Sequence, residues 1–228
     1  MGDRRKANQQ KAQMQQRTSK TPRAKLRPIR NICVYCGSNP GINPAYADAA
    51  RTLGRLMAEA GIGLVYGGGG LGLMGEIART VLAHGGRVTG IIPGFLSKKE
   101  RMLREAHEMI VVEDMHQRKK LMFDRSDAFV ALPGGIGTLD EAFEIITWRQ
   151  LHLHDKPVIL VDSADYWRPF LVLIDHIIAQ GFARPCRNPR SGAWPPPETG
   201  AGRRRLGPEN NSRRQHAESS PGPGFQVK

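Results

Sequence analysis

Between residues 31 and 183, short and almost wholly apolar runs alternate with longer amphipathic ones, and no other feature constrains the fold as much. The apolar runs are NICVYC (31–36), GLVYG (63–67), RVTGIIP (87–93), MIVVE (109–113), DAFVALP (127–133) and PVILVD (157–162). Each has the length of a strand and lacks the polar alternation of a half-exposed one, as expected of strands covered on both faces. Amphipathic stretches near 44–60, 72–84, 115–125, 139–153 and 166–180 supply a helix between most successive strands. The expectation is an α/β fold: a doubly wound parallel sheet with helices on both faces and ligands beyond the carboxyl ends of its strands.

The net charge of +13 would by itself suggest a nucleic acid or another anionic partner. Its distribution argues otherwise. Residues 1–30 carry +9, residues 184–228 carry +6, and residues 31–183 carry −2. The first tail has too few large apolar side chains to offset its ordering entropy, and the second is rich in Pro, Gly, Arg and Ser without a hydrophobic period. Both are expected to be disordered, flanking one folded domain at 31–183. Neither has the aromatic-interleaved basic stretch of a single-strand binder, so no specific nucleic-acid partner is expected. No run of about 18 apolar residues occurs, and the first tail lacks the apolar core of a signal peptide; a cytoplasmic protein without a membrane partner is expected. Three cysteines, an odd count, suit a reducing compartment. Cys33 and Cys36 have redox-pair spacing but fall within an apolar strand, on opposite faces, which favours buried packing over a redox role.

Three strand ends bear glycine: Cys36-Gly37-Ser38, GGGGLGLMG (67–75) and PGGIGT (133–138). The second fits G-x-G-x-x-G twice, through Gly67, Gly69, Gly72 and through Gly70, Gly72, Gly75. Residues 87–99, however, contain no Asp or Glu to hold a ribose hydroxyl, which argues against NAD. Glu76 and Ile77 after Gly75 exclude a Walker A loop. What remains is an anion site of glycine amides and helix amino termini, with Thr138 adding a hydroxyl and phosphate the favoured anion. Tight turns alone are the competing explanation for the glycines.

Two charged positions stand out. On the helical arc of 114–125, Arg118 and Lys119 share the broad face of Met115, Leu121, Met122 and Phe123. A cation there needs an anion, which a bound phosphate or carboxylate would supply, unless both stems reach past the apolar edge to water. Glu141 either completes a capping box with Thr138 or stands beside the sugar of a ligand whose phosphate lies at the helix start. In the second case its carboxylate would stabilise the positive sugar ring that develops when a glycosidic bond breaks.

In this order and spacing, GGGGLGLMGEIA, DMHQRKKLM and LPGGIGTLDEAFEIITW resemble the Lonely Guy family of phosphoribohydrolases, from about Ile32 to Pro185. Members of that family have often been mislabelled as lysine decarboxylases. The resemblance implies a Rossmann-like homodimer that hydrolyses the N-glycosidic bond of a nucleoside 5′-monophosphate, AMP or an N6-modified cytokinin-type AMP, to free base and ribose 5-phosphate. It implies that Arg118 and Glu141 carry the chemistry and that Gly134, Gly135, Ile136, Gly137, Thr138 and Ser38 line the phosphate site. Lys119, Glu100 and Thr147 resemble the family's other substrate contacts. No cofactor and no metal are expected: no Lys has a recognisable Schiff-base setting, and His152-Leu-His154 reads as a helix end rather than a zinc pair. After residue 184 the chain departs from the resemblance, as a shifted reading frame or a divergent tail would make it. A non-catalytic nucleotide-binding or carrier module of the same fold is the alternative, and the Arg118 and Glu141 pair is what distinguishes the enzyme from it.

Overall fold

The computed structural model describes residues 28–97 and 99–183, so most of the first tail and all of the second lie outside the described residues. Six strands form one sheet: β1 (Asn31–Tyr35), β2 (Gly63–Tyr66), β3 (Val88–Pro93), β4 (Glu108–Val112), β5 (Ala128–Ala131) and β6 (Val158–Leu160). All pairings are parallel, in the order β4-β3-β2-β1-β5-β6. The direction of winding reverses between β1 and β5, which makes their carboxyl ends the switch point where open sheets of this kind hold ligands. β1, β2 and β5, the three strands with glycine-bearing ends, are neighbours there.

Besides a single helical turn at Gly94–Ser97, five longer helices among the described residues cover the sheet: α1 (Pro44–Glu59), α2 (Gly72–Ala83), α3 (Met115–Asp124), α4 (Ile136–Gln150) and α5 (Arg168–Ala179). On one face, Ala50 and Met57 of α1 and Leu73, Ile77 and Val81 of α2 pack on Val34, Leu64, Tyr66, Val88 and Val130. On the other, Met122 of α3, Ile145 of α4 and Phe170 of α5 pack on Cys33, Tyr35, Val65, Ile91 and Phe129. Cys33 and Cys36 fall in different cores, as strand alternation requires. Burying a residue such as Phe129 contributes about 1.5 to 3 kcal/mol, so the apolar runs are what hold the layers together. Local signals set the helix starts. The Asn43 side chain accepts from the Ala45 amide (3.0 Å) ahead of Pro44, and Asp114 accepts from the Gln117 amide (2.8 Å) at the start of α3.

Two expectations change. α4 begins at Ile136, not near 139, because Gly135 takes the extended cap conformation (φ −86°, ψ −160°) and supplies no side-chain cap. Thr138 therefore lies inside the helix, and the capping box with Glu141 does not form. The edge strand β4 is only partly covered, with Val111 exposed, in place of the two-sided burial its apolar sequence suggests.

Candidate active site

The switch point is stitched by backbone bonds. The Gly37 amide donates to the Pro133 carbonyl (3.0 Å), and the Leu73 amide at the start of α2 donates to the Gly37 carbonyl (3.0 Å). The ends of β1 and β5 and the amino terminus of α2 are thus drawn around one spot. Beside it a pocket of about 190 Å³ is lined by Ser38, Gly67, Met74, Glu100, Arg118, Met122, Gly135, Ile136, Gly137, Thr138 and Glu141. A larger groove of about 370 Å³ lies between α1 and α2, but its Arg51 and Glu76 face water and pair with each other.

Arg118 enters the pocket from α3 and is buried at 6% exposure. Its Nε donates to the Ile91 carbonyl (3.2 Å) and its Nη2 to the Gly67 carbonyl (3.1 Å). These two carbonyls, one in the second half of β3 and one just beyond β2, fix the guanidinium plane. A Cβ on Gly67 would stand 2.0 Å from Nη2, so the first glycine of the GGGG run makes room for this arginine.

Glu141, one turn into α4, is buried at 8% exposure, and its Oε1 lies 3.9 Å from Arg118 Nη1. Burial pushes its carboxyl up to about 7; Arg118 and Lys119 oppose the rise, while Asp140 and Glu100 add to it. A carboxyl poised near neutrality in a cleft is suited to proton transfer. Across the pocket, Glu100 is also raised, chiefly by burial, against Arg118 and Lys99. Its Oε2 is buried with no hydrogen-bond partner among the described residues. At the amino end of α4, Gly135, Ile136, Gly137 and Thr138 face the same space, where backbone amides and the helix dipole favour an anion.

The other residues singled out in the sequence lie elsewhere. Lys119 forms ion pairs to Asp140 (3.2 Å) and Glu144 (3.1 Å) and does not line the pocket. Burial opposes its charge, yet those two carboxylates outweigh it and raise its pKa. Thr147 is exposed near the carboxyl end of α4 and does not line the pocket. Gly134 borders an adjoining cavity of about 210 Å³ shared with Gly135, Tyr46 and Tyr166. His154 Nε2 meets the Ile145 carbonyl (3.1 Å) and its Nδ1 accepts from the Lys156 amide (3.1 Å), so its ring serves packing. No cluster of metal-binding side chains occurs among the described residues. Sequence reasoning missed the apolar walls Met74 and Met122. Met122 was findable as the residue one turn beyond Arg118.

Residues 74–190 match the family described as possible lysine decarboxylase. Among curated proteins, the chain is 44% identical over 172 residues to the cytokinin riboside 5′-monophosphate phosphoribohydrolase of Rhodococcoides fascians, covering 75% of this chain and 87% of that one. It is 50% identical over 153 residues to a probable enzyme of the same name from Oryza sativa, covering 67% and 69%. LOG3 of Arabidopsis thaliana, again of that name, is 48% identical over 157 residues, covering 69% and 73%. Among solved structures, the molybdenum cofactor carrier protein of Chlamydomonas reinhardtii superposes with TM-score 0.53 at 23% identity, covering 65% of this chain and 86% of that one. A molybdenum cofactor binding protein from Rippkaea orientalis does so with TM-score 0.51 at 26% identity, covering 66% and 87%. These neighbours share the Rossmann-like architecture. None of the pocket's described lining residues is a lysine. The sequence kinship places the chain with the phosphoribohydrolases: it belongs to the Lonely Guy family.

Proposed function

We propose that this chain hydrolyses the N-glycosidic bond of a purine nucleoside 5′-monophosphate, AMP or an N6-modified cytokinin-type AMP, to free base and ribose 5-phosphate. The 5′-phosphate sits on the amides of Gly135, Ile136 and Gly137 with the hydroxyls of Thr138 and Ser38. Water attacks C1′, the C1′–N bond breaks with its electron pair going to the base, and positive charge builds on the ribose ring. Ionised Glu141 stabilises that charge and takes a proton from the water, and the departing base takes up a proton from solvent to leave as the neutral free base. Arg118 keeps Glu141 in place by charge and offsets the negative charge of the phosphate. The observation that carries this reading is the buried Arg118 and Glu141 pair opening onto the amino end of α4. Homodimer formation and a cytoplasmic location, which family membership implies, belong to the same proposal.

The test is release of adenine from AMP, and of the modified base from isopentenyl-AMP, by purified protein beside its Glu141→Ala variant. Release that falls about 10²- to 10⁴-fold in the variant supports the hydrolase, and the ratio of the two wild-type rates gives the preferred substrate. The likeness to a cofactor binding protein favours a second reading, a carrier of the same fold. AMP binding without turnover in the wild type would favour that carrier over the enzyme.

A further inference from the structure

The Gly134–Gly135 peptide forms the lip between the active-site pocket and the adjoining cavity. No described residue would meet a Cβ on Gly135, and a peptide between two glycines rotates more readily than any other. Which way its N–H points is therefore not set by side-chain packing at Gly135. It is set from outside. The Tyr166 hydroxyl donates to the Gly134 carbonyl from the adjoining cavity. In a planar trans peptide the carbonyl and the following N–H point in opposite directions. Holding the Gly134 carbonyl toward Tyr166 turns the Gly135 amide away from Tyr166.

Tyr166 is itself held. Its ring packs edge-on against Tyr46 (5.6 Å, 76°) and against buried Trp167 (5.2 Å, 90°). The turn that presents it keeps two consecutive non-glycine residues left-handed, Ala164 (φ 52°) and Asp165 (φ 56°). It is fastened by the Trp167 amide donating to Asp162 Oδ1 (2.8 Å) and by the Ser163 hydroxyl donating to the Ala45 carbonyl (3.1 Å).

We propose that Tyr166 is a positioning residue for the phosphate site: its hydroxyl latches the Gly134 carbonyl so that the Gly135 amide faces the anion. The proposal rests on the phosphate reading of that site given above. Tyr166→Phe keeps the ring contacts and removes the latch. Its Kd for inorganic phosphate and its KM for AMP are expected to rise about tenfold, the effect of one hydrogen bond to a charged group, while kcat stays within about twofold. In a ¹⁵N-labelled wild type, the Gly135 amide resonance shifts on adding inorganic phosphate; in the variant the shift shrinks. A structural role alone would lower the melting temperature and leave the phosphate Kd unchanged, and that result overturns the latch. A wild-type Gly135 resonance that ignores phosphate also overturns it, whether or not the variant can be purified. Failure of the phosphate reading itself would look different, with a folded wild type that binds no phosphate at any of these amides.

Discussion

Arg118 Nη1 and Glu141 Oε1 stand 3.9 Å apart, with side chains only 7% and 10% exposed. That separation is longer than a hydrogen bond, so the two groups attract by charge without being locked to one another. Arg118 spends its other nitrogens on the Gly67 and Ile91 carbonyls, which hold it whether or not Glu141 is ionised. The pair is therefore anchored on the arginine side and adjustable on the carboxylate side, the order needed if Glu141 is to gain and lose a proton.

Replacing Glu141 by glutamine should trade activity for stability. Burial raises the carboxyl from its ordinary 4.5 to about 7, so between these pH values the folded chain holds a proton that the unfolded chain has released. The contribution of Glu141 to stability is thus full below about pH 4.5 and declines as pH rises to 7. Glu141→Gln removes the ionisation. Its melting temperature should match wild type below about pH 4 and exceed it at pH 8, by up to about 3 kcal/mol of stability, while base release is lost. Equal melting temperatures at pH 8 would contradict the raised carboxyl.

Asp140 offers a finer adjustment of the same group. Its charge raises Glu141, and it also holds Lys119, whose charge lowers Glu141. Asp140→Asn removes the first effect, which favours ionised Glu141, and loosens Lys119, which works against it; the direct effect of Asp140 is the larger of the two. The acid limb of kcat/KM for AMP, set by the free enzyme's carboxylate, should move to lower pH by about 0.3. Asp140 is more than half exposed, so the lost ion pair should cost under about 1 kcal/mol in thermal unfolding. A limb that moves to higher pH would show that Lys119, not Asp140, dominates at Glu141.

Cys33 and Cys36 should behave as inert packing residues. They sit in different cores, and burial pushes both thiols up, away from the reactive thiolate. In a Cys186→Ser variant, which leaves only these two, a thiol reagent should label almost none of the native protein and two thiols per chain in guanidinium. An intact mass two hydrogens short, after mild oxidation of the native protein, would restore the redox reading.

Much of this was legible in the chain because strand burial and helical period are local properties. All six strands lie within about three residues of their apolar runs, and Arg118 and Glu141 come from motifs whose charges disagree with their positions. What escaped was information held by a second element. Arg118 and Lys119 share one helical arc, and only the placement of Asp140 and Glu144 on α4 decides that Lys119 pairs within the chain. The capping box at Thr138 failed because Gly135 starts the helix earlier, a backbone choice its neighbours do not announce. Tyr166 reaches Gly134 across 32 residues of sequence, from a turn whose left-handed residues are not glycines.

Gly67 tests whether the glycine run serves Arg118 or a ligand. A methyl group there would stand 2.0 Å from Arg118 Nη2 and 3.1 Å from Met74 Sδ. Both are ends of flexible side chains, so the fold can adapt, and Gly67→Ala should lose only about 1 kcal/mol of stability. The guanidinium, however, must leave the Gly67 carbonyl and its place opposite Glu141, and kcat for AMP should fall about 100-fold. The decisive comparison is a double-mutant cycle with Arg118→Ala. If Gly67 acts through the arginine, adding Gly67→Ala to the Arg118→Ala protein should change kcat less than about twofold, because the group it displaces is already gone. Additive losses in the cycle would instead mean that the Gly67 loop meets the substrate by its own backbone, as a dinucleotide-type glycine loop would.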